Sequence, residues 1–225
     1  MAGERRLLRP VARHRLVSPA APAAVARRLR VGLLGGSFNP AHEGHLHVSR
    51  EALKQLDLDQ LWWLVAPQNP LKSRRETAPL AVRLARAREV ASDPRIRVSD
   101  MEARLGTRYT VDTLRRLQAR FRGHRFVWLM GADNLASLHR WRRWEAIVRA
   151  VPIAVFDREP YFYEALAGVA ARRFGACRQV GEALRDLAAA PPPAWGIMRL
   201  RPHPAASSKI RAAGQWWQAP SEGDG

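Results

Sequence analysis

From residue 31 onward, short apolar runs alternate with longer stretches in which apolar side chains return every third or fourth position. "VGLLGG" (31–36), "LWWLVAP" (61–67), "RIRVSD" (95–100), "FVWLMG" (126–131), "PIAVFDR" (152–158) and "WGIMRL" (195–200) are bounded by Gly, Pro or Asp, as buried strands are. Between them Leu46, Leu53 and Leu56, then Leu80, Leu84 and Val90, then Val111, Leu114 and Leu117 mark helical faces. Strands separated by helices predict βαβ units. The expected fold is a single α/β domain over residues 30–214, a doubly wound, mostly parallel, Rossmann-like sheet with helices on both faces. No internal repeat is visible.

Both ends break the pattern. Residues 1–29 mix Arg with Ala and Pro without a sustained period, which predicts a flexible basic extension. The polar, Gly-rich residues 215–225 predict a frayed tail. No apolar run reaches the 18 residues of a membrane span and no secretory h-region is present, so a cytoplasmic protein without a membrane partner is expected. The single Cys177 has no partner for a disulfide or a Cys-based zinc site and reads as a buried thiol.

The net charge of +18 admits nucleic acid, an anionic surface or a phosphorylated small molecule as partner. Lys occurs only at 54, 72 and 209, and the arginines are scattered through every segment. A stacking platform for nucleic acid needs exposed aromatics among basic residues, whereas Trp62, Trp63 and Trp128 fall inside predicted strands. No nucleic-acid partner is therefore expected, and a basic nucleic-acid binder is kept only as the remote alternative.

The densest chemistry follows the first predicted strand: "GGSFNPAHEGHLHVS", residues 35–49. Gly35 and Gly36 let backbone N–H groups approach an anion, while Ser37 and Asn39 add short polar side chains. Pro40 ends the strand, and a helix is expected to start near His42–Gly44, where free N–H groups favour phosphate. His42 and His45, three apart, should face the same side, and His47 should point elsewhere. The competing reading is a tight turn whose histidines cap a helix. The stretch has neither the order of a P-loop nor the third glycine of G-x-G-x-x-G.

"GGSFNPAHEGH" resembles the G-G-[ST]-F-[DN]-P-x-H-x-G-H signature of the HxGH nucleotidylyltransferase superfamily, and "ASSKIR" (206–211) is similar to its S-[ST]-[ST]-x-[IL]-R signature, with Ala206 in place of the usual Ser. "PQNPLK" (67–72), "RYTVDTL" (108–114), "GADNL" (131–135) and "WRRWEAI" (141–147) resemble segments of bacterial nicotinate-nucleotide adenylyltransferases, with Arg108 replacing a small residue. The resemblance implies an enzyme of NAD biosynthesis that joins ATP and nicotinate mononucleotide, releasing pyrophosphate. It implies that His42, His45 and Arg211 are catalytic, and that Gly35, Gly36, Ser37, Phe38, Asp133 and Ser208 join them in binding ATP. It assigns Asn39, Lys72, Tyr109, Thr110 and Trp141 to the mononucleotide, with Trp141 stacked on the pyridine ring and backbone N–H groups near Tyr109 and Thr110 on the carboxylate. Mg²⁺ is implied with ATP and no protein metal cage is expected. An acceptor other than nicotinate mononucleotide, such as its nicotinamide counterpart, is the alternative within the class, and a homo-oligomer is left open.

Each of these segments also has a plain structural reading. A Trp-x-x-Trp helix start is ordinary packing, "GAD" after a strand is an ordinary helix cap, "RYT" an ordinary helix start, and Lys72 an ordinary solvated residue.

Overall fold

A computed structural model describes residues 28–67, 77–157, 161–201, 203–214 and 216–217. The elements in chain order are β1 (Leu29–Gly36), α1 (Glu43–Gln55), β2 (Gln60–Val65), α2 (Leu80–Val90), β3 (Ile96–Ser99), α3 (Met101–Arg104), α4 (Thr110–Arg120), β4 (His124–Gly131), α5 (Ala132–Ser137), α6 (Trp144–Ala150), β5 (Ile153–Phe156), α7 (Phe162–Ala167), α8 (Val169–Arg173), β6 (Arg178–Gln179), α9 (Glu182–Arg185), β7 (Trp195–Met198) and α10 (Ser207–Ala212). The strands form one sheet in the order β3-β2-β1-β4-β5-β7-β6, and every pairing is parallel. The six predicted strands are present. The seventh, β6, has two residues beside Trp195 and Gly196 of β7, too few for any apolar period to announce it.

Alternation along the strands sorts side chains into two cores, one on each face. Val31, Leu33, Trp62, Leu64, Phe126, Trp128 and Met130 join residues of α4, α5, α6 and α8 on one side. Leu34, Leu61, Trp63, Val65, Val127 and Leu129 join residues of α1 and α2 on the other. Each large apolar side chain fully buried this way contributes about 1.5–3 kcal/mol relative to exposure. Both faces are covered, so the strands are near-continuous apolar runs, which is what made them legible.

The order of strands reverses between β1 and β4. The chain winds outward through β2 and β3, returns to pair β4 with the other edge of β1, and then winds the opposite way. Loops leaving the carboxyl ends of β1 and β4 therefore diverge and leave a crevice between them. That crevice is where residues 35–45 and 131–135 meet.

One expectation changes at this level. Cys177 is half-buried, packed at the margin of one core rather than inside it. Near the C-terminal end, the Trp216 indole Nε1 donates to Asn39 Oδ1 at 2.8 Å. The extension over residues 1–27 and Lys72 lie outside the described residues.

Beneath the "RYT" turn sits Glu102, whose carboxyl is pushed up to about 7 by burial, with the neighbouring Thr113 hydroxyl pulling the other way. The turn hangs on this residue: Thr107 N–H donates to Glu102 O at 3.0 Å, and the Thr113 hydroxyl donates to Thr107 Oγ1 at 2.9 Å. A carboxyl with a raised folded pKa holds its proton in the native state while the unfolded chain loses it. Stability therefore falls as pH rises from the unfolded value near 4.5 to about 7, and is level above. Glu102→Gln should match wild type in thermal melts at pH 5 and exceed it at pH 8 by about 1–3 kcal/mol. Equal melting at both pH values would show that this carboxyl ionises as freely in the native state as in the unfolded chain.

Candidate active site

The crevice is a cleft of ≈ 390 Å³ over the carboxyl ends of β1, β4 and β5, closed on one side by the start of α1 and on the other by residues 200–205. Gly35 and Gly36 form part of its floor beside Trp128–Gly131. Gly35 is required by its neighbour: a Cβ there would sit 2.5 Å from Trp128 Cη2. Gly44 is squeezed likewise, since a Cβ would lie 2.9 Å from the His42 ring and 3.0 Å from Ala205 O. The third glycine of the signature thus lets the chain ahead of α10 come down onto the first turn of α1.

His42 and His45 face each other with ring centroids 4.0 Å apart, and both line the cleft. The capping reading and the binding reading of these residues are compatible. His42 is the N-cap of α1, and its Nδ1 accepts from Gly44 N–H at 3.1 Å; His45 Nδ1 accepts from His42 N–H at 3.2 Å. These bonds assign both neutral rings to the tautomer protonated at Nε2. Capping occupies one nitrogen of each ring and leaves the other chemically a donor. This is a capping box made of imidazoles, where Ser/Thr and Glu/Gln are usual.

His47 does not point elsewhere. It lines the cleft, Nε2 donates to Arg201 O at 3.0 Å, and its ring stacks on His203 at 5.5 Å. Two residues on from His45 is more than half a turn around a helix, but Arg201 and His203 lie over that side and extend the wall to it. Arg201 and His203 join the same wall.

The remaining predicted residues divide. Trp141 and Gly131 line the cleft. Trp144, the second indole of the Trp-x-x-Trp pair, packs edge-on against Phe174 at 5.8 Å, so ordinary packing is right for it. Asp133 lies in the first turn of α5, with Gly131 rather than the aspartate as N-cap, and its carboxylate folds back over Gly131, where a Cβ would be 2.3 Å from Oδ1. Its neighbour Asn134 is the α5 polar side chain on the cleft wall. Tyr109 is the N-cap of α4 and Thr110 its first residue; neither lines the cleft, and the Tyr109 ring is covered by the Arg142 guanidinium at 4.7 Å.

Phe38 is 2 % exposed and stacked on Trp63, so its side chain cannot touch a ligand, and any contact there is made by backbone. Asn39 is likewise buried: Oδ1 accepts from Ala78 N–H and from Trp216, which ties loops together and takes this oxygen away from the mononucleotide task. Arg211 Nη1 donates to Asn39 O at 2.6 Å, joining the second signature to the first. A guanidinium carries five donors, so this bond leaves most of the fork for an anion. Ser208 is exposed on α10; Ser207 is the hydroxyl that reaches the signature loop, donating to Pro40 O at 3.0 Å. Ala206 is the N-cap of α10 and supplies no side-chain cap.

Asp157, Trp128, Arg201 and His203 line the cleft without having been anticipated. Asp157 follows an apolar strand as Asp133 does, so the same edge-of-sheet argument finds it. Among the described residues, its buried Oδ1 has no hydrogen-bond partner.

Arg108 is exposed and lies off the cleft. Arg108→Ser should leave kcat, both KM values and the choice between acid and amide acceptors unchanged within about twofold, as surface changes away from a site do. A collapse of the acid preference in steady-state assays would place this guanidinium on the acceptor instead.

A nucleotide-scale cleft at the switch point of a parallel sheet, floored by glycines and walled by paired imidazoles, defines a nucleotidyl-transferring class of protein. Sequence comparisons agree. The cytidylyltransferase-like family model matches residues 33–213. A probable nicotinate-nucleotide adenylyltransferase of Cereibacter sphaeroides (strain ATCC 17025) is 55% identical over 186 residues, 83% of this chain and 98% of that protein. One of Parvibaculum lavamentivorans is 53% identical over 191 residues, 84% and 94% of the two chains. Among solved structures, the Plasmodium falciparum nicotinic acid mononucleotide adenylyltransferase complexed with NaAD superposes with a TM-score of 0.61 at 15% identity, over 82% of this chain and 83% of that one, a likeness of fold. The chain belongs to the cytidylyltransferase-like family and, within it, to the nicotinate-nucleotide adenylyltransferases.

Proposed function

We propose that this enzyme transfers the adenylyl group of ATP to the phosphate of nicotinate mononucleotide, giving nicotinate adenine dinucleotide and pyrophosphate for NAD biosynthesis. The observation that carries the reading is the His42–His45 pair over the glycine floor at the β1/β4 switch point, in a chain 55% identical to a probable nicotinate-nucleotide adenylyltransferase over 83% of its length.

The acceptor phosphate attacks the α-phosphorus of ATP in line, and the bond to the pyrophosphate oxygen breaks. The attacking group is already an anion at neutral pH, so the protein's task is positioning and charge stabilisation rather than proton removal. Each imidazole donates from Nε2; His45 serves the α-phosphate oxygens and His42 the adjacent phosphate. Arg211, Ser208 and the backbone of residues 35–38 hold the departing β and γ phosphates, with Arg201, His47 and His203 adding positive or donor groups on the same wall. Asp133 and Asn134 receive the adenosine ribose, and Trp141 the pyridine ring. The family resemblance gives the nicotinate carboxylate to N–H groups near Tyr109 and Thr110, which stand outside the lining of the cleft.

Mg²⁺ bound with ATP would supply neutralisation of charge on the phosphates. Asp157, the carboxylate that lines the cleft, would hold such an ion through its water.

Pyrophosphate release from ATP should be seen with nicotinate mononucleotide, and more weakly with the nicotinamide form. Equal rates would transfer the reading to a dual-acceptor enzyme, and no release with either would overturn it.

A further inference from the structure

Arg83 stands on α2, outside the lining of the cleft, and is 1% exposed. Its guanidinium donates to four backbone carbonyls from three stretches of chain. Nε reaches Ala78 O at 2.8 Å; Nη1 reaches Ser37 O and Ala66 O, both at 2.7 Å; Nη2 reaches Pro67 O at 2.8 Å. All four partners are carbonyl oxygens and none is a carboxylate. Burial pushes this guanidinium's pKa below its ordinary value, yet arginine keeps its proton at neutral pH. A buried charge is costly, and a side chain needed only to fill this volume would be better as Leu or Met. The guanidinium supplies something a hydrocarbon cannot: a rigid fork of donors and a fixed positive charge.

The fork acts on the phosphate-binding turn. Because the peptide unit is planar and trans, fixing the Ser37 carbonyl on Arg83 turns the Phe38 N–H to the opposite side. Phe38 itself is left-handed, φ 45°, a conformation that a bulky residue rarely holds unaided. Two supports hold it. Arg83 grips the preceding carbonyl, and the Phe38 ring stacks on Trp63 at 5.1 Å and against His45 at 4.8 Å. Trp63 in turn donates to Ser49 Oγ at 2.8 Å, and Ser49 to His45 O at 2.7 Å. Physical contact is thus continuous from Arg83 to the imidazole that faces the cleft.

We propose that Arg83 is a positioning residue for adenylyl transfer: it locks the 36–38 turn onto the exit of β2, so that His45 and the loop amides are aligned before the triphosphate arrives, and its charge beneath the loop favours a polyanion above it. Through Pro67 and Ala78 the same fork anchors the two positions that bracket residues 68–76. The inference rests on the cleft's being an ATP site.

Arg83→Lys keeps the charge and most of the stem but cannot span four carbonyls. The folded variant, checked by circular dichroism below its melting temperature, should lose at least tenfold in kcat with a mononucleotide KM within about twofold of wild type. A lower melting temperature with unchanged kcat per folded molecule would reduce Arg83 to a structural role and overturn the proposal. A second measurement needs no variant: in the wild-type protein, amide hydrogen exchange of residues 35–41 should already be slow without nucleotide, and change little on adding a non-hydrolysable ATP analogue. Exchange as fast as in exposed chain, slowed only by the analogue, would show that the loop is not preset, whatever the fate of Arg83→Lys. Wild-type turnover in the same assay keeps the readings apart, since a wild type that releases no pyrophosphate fails the functional reading while the exchange result still decides the state of the loop.

Discussion

His45→Ala should lower turnover by about 10²-fold or more, the range for losing a donor aimed at developing charge. The same substitution removes the bond from His42 N–H to His45 Nδ1 that closes the capping box, so a stability loss of about 1 kcal/mol is expected alongside. The two effects come from different nitrogens of one ring and can be separated. His45→Gln places at this helix position one of the residues that ordinarily completes a capping box. Its melting temperature should return toward wild type while turnover stays low. Recovery of both would mean that capping is the ring's whole task, and a His45→Ala protein that unfolds early but turns over normally when folded would say the same.

What was legible in the chain followed from the kind of constraint each residue obeys. The strands could be read because the sheet is covered on both faces, so that runs such as Leu61–Val65 carry no polar interruption. The position of the site could be read as well, because ligands bind where loops leave the carboxyl ends of parallel strands, and the glycines and histidines of residues 35–45 sit there. Asp157 obeys the same rule and was missed only because no motif drew attention to it. Arg83 could not have been found this way. Nothing distinguishes it from the chain's other arginines until the fold brings Ser37, Ala66, Pro67 and Ala78 around it.

Asn39 shows what a motif does not tell. Its place in a signature loop suggested a ligand contact, whereas its side-chain oxygen receives Ala78 and Trp216, from segments 39 and 177 residues away. A motif marks residues that the site needs, and some of those build the loop rather than touch the substrate. Phe38 is of the same kind, buried under the loop it shapes. Within the polar residues 215–225, the Trp216 indole N–H has a buried acceptor in Asn39, a contact that composition does not announce.

Trp141→Ala should weaken mononucleotide binding by about 1–3 kcal/mol, by analogy with bases stacked on aromatic side chains, and leave ATP affinity nearly unchanged. Trp141 is suited to this task because it is half-buried, its inner side packing on the core and its outer side lining the cleft. Its backbone is held as well, with N–H donating to Leu138 O at 2.9 Å, so the indole is presented from a fixed point just ahead of α6. In steady-state assays the loss should appear as a rise of about 5- to 150-fold in the mononucleotide KM, and Trp141→Phe, which keeps a ring to stack on, should retain most of the affinity. Preference for the acid over the amide should survive both changes, because that difference is a charge, which an indole stacked on the ring does not read. A Trp141→Ala enzyme with an unaltered mononucleotide KM, or one whose ATP affinity falls equally, would show that this face of the cleft does not hold the pyridine ring.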